Sequence, residues 1–143
     1  IRNGGDVAKA VALGADAVAI GHSALMALNC NRDTPEADYE GEMGVKAGEC
    51  YHCHTGRCTV GVATQDPELR KRLDPDLASE RVYNFLHTLA IETQMMARAC
   101  GKTNIHSLEP EDLAALTMEA SACAQVPIAG SQHTVGRPDM TRF

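Results

Sequence analysis

Three cysteines fall within nine residues, Cys50-Tyr51-His52-Cys53-His54-Thr55-Gly56-Arg57-Cys58, and a fourth, Cys30, lies upstream. A core cysteine behaves as a small hydrophobe and needs no partner at fixed spacing. Thiolates spaced this closely suit a soft metal centre. Four thiolates suit a [4Fe-4S] cluster and three a [3Fe-4S] cluster. Zinc would take four ligands, with His52 or His54 beside the thiols. Unliganded structural cysteines are the remaining alternative. Cys100 and Cys123 sit among alanines near expected helix ends, where core packing accounts for them.

A second chemistry is available at Gly21-His22-Ser23. A helix starting directly after a buried strand presents free backbone N–H groups and a positive dipole end to an anion. A plain βα loop is the alternative. Arg2 could add a bidentate phosphate contact, or be a solvated surface arginine. No Ser-His-Asp order, paired carboxylate set or P-loop stands out, so the catalytic residues are unknown. The acidic residues between Glu36 and Glu49 read as a solvated face. His87, His106 and His133 carry no clear chemistry.

The elements that position these residues follow from caps and periodicity. Asp6 reads as an N-cap, with a helix over 7–13 ending at Gly14. Asp16-Ala17-Val18-Ala19-Ile20 reads as a short strand buried on both faces. A helix over 23–28 follows. Residues 30–65 hold five glycines, six acidic residues and four of the six cysteines, and lack sustained periodicity. So long a loop needs something inside to organise it. Asp66-Pro67 and Asp74-Pro75 each place a cap before proline at the first helical position. The second starts a helix over 75–100, ~39 Å long, with Ala78, Val82, Phe85, Leu86, Leu89 and Met96 on one stripe. A third helix is expected from Ser107 to about Ala124, then a loosely ordered tail to Phe143.

With 143 residues, 44% apolar content and no Trp, one domain with an alanine- and leucine-rich core is expected. A net charge of -6 argues against nucleic acid as a partner. No apolar run reaches the ~20 residues of a membrane span, and no secretory signal is visible. The chain does not start with Met and enters a helix almost at once, so it reads as N-terminally incomplete.

Two stretches carry a family resemblance. Ile1 to Ala10, and Leu13-Gly14-Ala15-Asp16-Ala17-Val18-Ala19-Ile20-Gly21, look like the strand 7 to strand 8 region of FMN-dependent (β/α)8 barrels. Ala24 to Cys30, then Cys53-His54-Thr55-Gly56-Arg57-Cys58-Thr59-Val60-Gly61-Val62-Ala63-Thr64-Gln65, resemble the iron-sulfur segment of glutamate synthase large-subunit synthase domains. Arg98 to Lys102 and Leu108 to Leu113 fit the same family, so the likeness runs to about residue 131.

The resemblance implies an α/β fold class. Residues 1–29 would close an FMN-binding TIM barrel with its last strand and helices. Residues 30–65 would form an iron-sulfur cluster loop, 66–126 a helical extension packing on the barrel, and 127–143 a tail. It places Arg2, Gly21 and His22 near the FMN phosphate. The family's [3Fe-4S] ligands, spaced C-x5-C-x4-C, match Cys30, Cys53 and Cys58. Here 22 residues separate Cys30 from Cys53, and this insertion adds Cys50. The cluster type, [3Fe-4S] or [4Fe-4S], is therefore open.

The activity implied is an oxidoreductase of ammonia assimilation. It would form L-glutamate from 2-oxoglutarate and glutamine-derived ammonia by reductive amination, in the cytoplasm. Electrons would come from ferredoxin or a pyridine-nucleotide-dependent subunit, and a glutaminase subunit could supply ammonia. The alternatives are an N-methylglutamate synthase-like transferase subunit and a non-catalytic zinc or iron-sulfur binding module. The residues that bind 2-oxoglutarate and the flavin ring would lie mostly before residue 1, so this chain alone is expected to be inactive.

Overall fold

The computed structural model describes residues 1–138 as two compact units. One comprises residues 1–19 with the chain from Leu89 onward, and the other Ile20–Thr88. Each is organised by helices. No helix among the described residues is long and apolar enough to cross a membrane.

In the first unit, α1 spans Gly4–Ala12. Asn3 caps it, accepting a hydrogen bond from the Asp6 N–H at 3.0 Å, so Asp6 is not the cap. Asp6 instead takes ion pairs from Lys9 at 3.1 Å and Arg2 at 3.3 Å. The Lys9 and Arg2 contacts hold its carboxyl down to about 2.

Opposite α1 runs the C-terminal part of α5, Pro75–Ala99. A Cβ on Gly4 would stand 2.3 Å from Glu92 Cβ and 2.7 Å from the Thr93 nitrogen. Only glycine permits that approach. The Glu92 side chain then accepts from the Gly4 N–H at 2.7 Å, and Thr93, 1% exposed, donates to the Leu89 carbonyl at 2.7 Å. Ala8, Val11, Ala12, Ala97 and Leu108 close this core. Along α5, Ala78, Leu89, Thr93 and Ala97 are buried, whereas Leu86 and Met96 of the expected stripe are exposed.

Two expected elements are absent among the described residues. The run from Asp16 to Ile20 is not a strand. A parallel strand exists only by exchanging hydrogen bonds with neighbours, and no named strand is present to pair with it. No barrel strand is thus seen among the described residues, whose named elements are helices. The expected third helix breaks into single 3₁₀ turns at Ile105–Ser107 and Pro110–Asp112, followed by α6, Met118–Ala124. Between them Ala115 pairs with residues 127–129, donating to the Pro127 carbonyl and accepting from the Ala129 N–H, both at 2.8 Å. Thr117 then caps α6 through the Ala120 N–H.

The segment after Pro127 is tied back. Ser121, fully buried, donates to the Val126 carbonyl at 2.7 Å and accepts from the Val135 N–H at 3.1 Å. Phe143, the expected end of the tail, lies outside the described residues.

The second unit contains α2 (His22–Ala27), α3 (Tyr39–Met43) and α4 (Pro67–Arg70). Asp66 and Asp74 act as caps as the sequence implies. Asp66 accepts from the Glu68 and Leu69 N–H groups, and Asp74 from those of Asp76 and Leu77. Tyr39, Ala37 and Val60 form the core, with Cys50, Cys58, Ala47 and Val62 packed against it.

Candidate functional site

Cys30 follows α2 and sits between two left-handed residues, Asn29 (φ 85°) and Asn31 (φ 60°). Asparagine tolerates that region better than other side chains with a Cβ. The turn frees the Asn31 side-chain amide to reach across the loop. It accepts from the Cys50 N–H at 2.9 Å and donates to the Cys50 carbonyl at 3.1 Å. One asparagine therefore fixes Cys50 beside the segment that carries Cys30.

The other two cysteines are set by a tight turn. Cys53 opens a 3₁₀ turn, Cys53–Thr55, closed by left-handed Gly56 (φ 73°). Thr55 donates to the His52 carbonyl at 2.8 Å, and its hydroxyl accepts from the Arg57 N–H at 3.2 Å. The Thr64 hydroxyl donates to the Gly56 carbonyl. After Cys58, Gly61 (φ 79°) turns the chain, and a Cβ there would stand 2.5 Å from the Leu69 carbonyl oxygen.

Arg72 anchors this turn. It donates to both Glu42 carboxylate oxygens at 2.7 and 2.8 Å and to the Thr59 carbonyl at 3.0 Å. Glu42 is held below the usual carboxylate range, first by Arg72 and then by Thr59. It is a structural ion pair and not part of a solvated acidic face.

Cys30 lies within electrostatic reach of Cys50, Cys53 and Cys58. Burial raises the Cys30 thiol pKa first, and the nearby Cys53, Cys58 and Cys50 raise it further. Cys53 is exposed, while Cys30, Cys50 and Cys58 are half-buried. Thiolates gathered this way repel unless a cation offsets their charge, and a bound metal deprotonates such thiols outright. The donor set therefore fits a soft, thiolate-bound centre. Among the described residues no three His, Cys, Asp or Glu side chains converge as they would on a single ion. Cys100 and Cys123, expected in the core, are exposed. The small core faces of α5 and α6 are filled by Ala97 and Ser121 instead.

Sequence reasoning missed Tyr39. It is 4% exposed and packs in the core that Cys50 and Cys58 border. Its hydroxyl is the one buried side-chain polar atom among the described residues without a hydrogen-bond partner. The Asn31 backbone approaches on the side that favours the anion but misses hydrogen-bond geometry. Burial, then the charges of Cys30, Cys50 and Cys58, push the phenol up to about 12. The hydroxyl thus keeps its proton at neutral pH.

Arg2 belongs to the first unit and the Gly21–His22 turn to the second. Arg2 is exposed and paired with Asp6. Gly21 precedes α2 with φ 46° and gives it no side-chain cap. Gly21 and His22 are both exposed.

Two family models match the chain. Residues 40–103 match the model of the conserved region in glutamate synthase, and residues 1–34 match the FMN-dependent dehydrogenase model. A glutamate synthase large subunit-like protein of Rhizobium meliloti is 54% identical over 137 residues, covering 96% of this chain and 31% of the relative. An archaeal-type glutamate synthase [NADPH] of Dehalococcoides mccartyi is 41% identical over 108 residues, covering 76% of this chain and 18% of that protein. An archaeal glutamate synthase [NADPH] of Methanocaldococcus jannaschii is 42% identical with the same coverage, 76% and 18%. This chain thus spans less than a third of each of these relatives. No solved structure matches it significantly.

Proposed function

Because the chain belongs to the glutamate synthase large-subunit family, we propose that it is part of an FMN- and iron-sulfur-dependent enzyme forming L-glutamate. The reaction would be reductive amination, in which ammonia and 2-oxoglutarate condense to an imine with loss of water and a hydride and a proton complete the amino acid. The carrying observation is that Asn31, next to Cys30, binds both the N–H and the carbonyl of Cys50, with Cys53 and Cys58 in the same unit. The four thiolates would hold the cluster, with Asn31 keeping Cys50 close to Cys30. Arg2, Gly21 and His22 would face the flavin phosphate, a reading supported by the match of residues 1–34 to the flavin-dependent family. When bound, FMN would supply hydride and the cluster single electrons.

The electron source would be ferredoxin or a pyridine-nucleotide-dependent subunit, and ammonia would come from a glutaminase partner in the cytoplasm. The chain alone, without the rest of a barrel, would not turn over. Iron, sulfide and zinc analysis of the anaerobically purified protein, with electron paramagnetic resonance, tests the reading. Iron with matching sulfide is expected, and zinc without iron would sink it. A [3Fe-4S] signal that survives Cys50→Ala would assign the cluster to Cys30, Cys53 and Cys58. Replacing ammonia by methylamine in the complete enzyme separates glutamate from N-methylglutamate formation.

A further inference from the structure

We propose that Tyr39 donates its hydroxyl proton to a sulfur of the thiolate-bound cluster and so raises the reduction potential of that cluster. The inference rests on the iron-sulfur reading above. A buried hydroxyl without a partner costs stability, so a buried orphan asks what it was placed to meet. The Tyr39 hydroxyl is such an orphan, on a side chain 4% exposed. Its ring packs in the core bordered by Cys50 and Cys58, and Cys30, Cys50 and Cys58 lie within electrostatic reach of it.

Among the described residues the hydroxyl has no hydrogen-bond partner. A sulfide or thiolate sulfur carrying negative charge is the acceptor that the surroundings would supply. Each added electron makes those sulfurs more negative and strengthens the bond. Hydrogen bonds to cluster sulfurs are among the features that set potential, and this one favours the reduced state.

Tyr39→Phe removes a single oxygen and keeps the packing. In anaerobically prepared holoprotein with unchanged iron content, the variant's ratio of reduced to oxidised cluster at fixed ambient potential should fall about ten-fold. That corresponds to about 59 mV for one electron. In heavy water, an exchangeable deuteron coupled to the cluster should be present in the parent and lost in the variant. An unchanged potential with unchanged coupling overturns the proposal while leaving the cluster reading intact. Absence of iron from the parent protein overturns both. Should Tyr39→Phe load less iron, tyrosine can be replaced biosynthetically by 3-fluorotyrosine, a stronger donor of the same shape. In a Tyr51→Phe, Tyr83→Phe background Tyr39 is the one tyrosine of this chain that carries the label, and the potential must then rise; an unmoved potential refutes the assignment.

Discussion

Asn31→Ala should loosen the cysteine cluster before any metal is considered. The substitution removes two hydrogen bonds to the Cys50 backbone, at 2.9 and 3.1 Å. Each contributes about 1 kcal/mol net. It also forces alanine into a left-handed conformation, φ 60°, which costs about 1 kcal/mol more. The expected loss is about 3 kcal/mol. Asn31→Gly forfeits the same bonds but accepts the backbone angle, so it should lose only about 2 kcal/mol. Urea unfolding of the metal-free chain reports this directly. There is no tryptophan, and Tyr39, Tyr51 and Tyr83 all fall in the Ile20–Thr88 unit, so tyrosine emission follows that unit alone. A loss below about 0.5 kcal/mol for Asn31→Ala would refute the clamp, given that such bonds are worth at least that much. Equal losses for alanine and glycine would refute the part assigned to the backbone angle.

Three further outcomes are expected. Gly4→Ala would drive a Cβ to 2.3 Å from Glu92 Cβ, so thermal unfolding should show a loss of about 3 kcal/mol, the upper end for overpacking. Ser121→Ala leaves the Val126 carbonyl and Val135 N–H without their partner, for a loss of about 1–3 kcal/mol and faster hydrogen exchange at the Val135 amide. Glu42 has a depressed folded pKa, so its contribution is present above the ordinary carboxylate value of 4.5 and fades as pH falls through the lower folded value. Glu42→Gln should therefore destabilise at pH 7, and parent and variant should converge in acid. A stability difference that holds constant from neutral pH to about pH 2 would contradict the Arg72 pairing.

Local signals were legible where the sequence neighbours do all the work. Asp66-Pro67 and Asp74-Pro75 set their helices through contacts two and three residues on, which spacing alone conveys. The four cysteines were legible by type. What escaped were contacts across sequence distance. Asn31 reads as an ordinary turn residue until Cys50, 19 positions away, is known to be its partner. Tyr39 stands in an acidic stretch whose other members look solvated, and the one available signal was a tyrosine in a chain with 3% aromatic content. The continuous helix expected from Ser107 onward failed because pairing of Ala115 with residues 127–129 outcompeted local propensity.

The Asn31–Cys50 bridge also changes what the 22 residues between Cys30 and Cys53 amount to. Because the chain returns to its starting point, the cysteines experience a short spacer, whatever the contour length of the excursion. Closing a longer flexible loop costs little extra, about 0.6 kcal/mol per doubling. Length ahead of the core residues Ala37 and Tyr39 is therefore free to drift so long as the two ends of the excursion meet. A deletion confined to residues 32–36, preserving Asn31, Cys50 and the core residues Ala37 and Tyr39, is the shortened form this geometry favours.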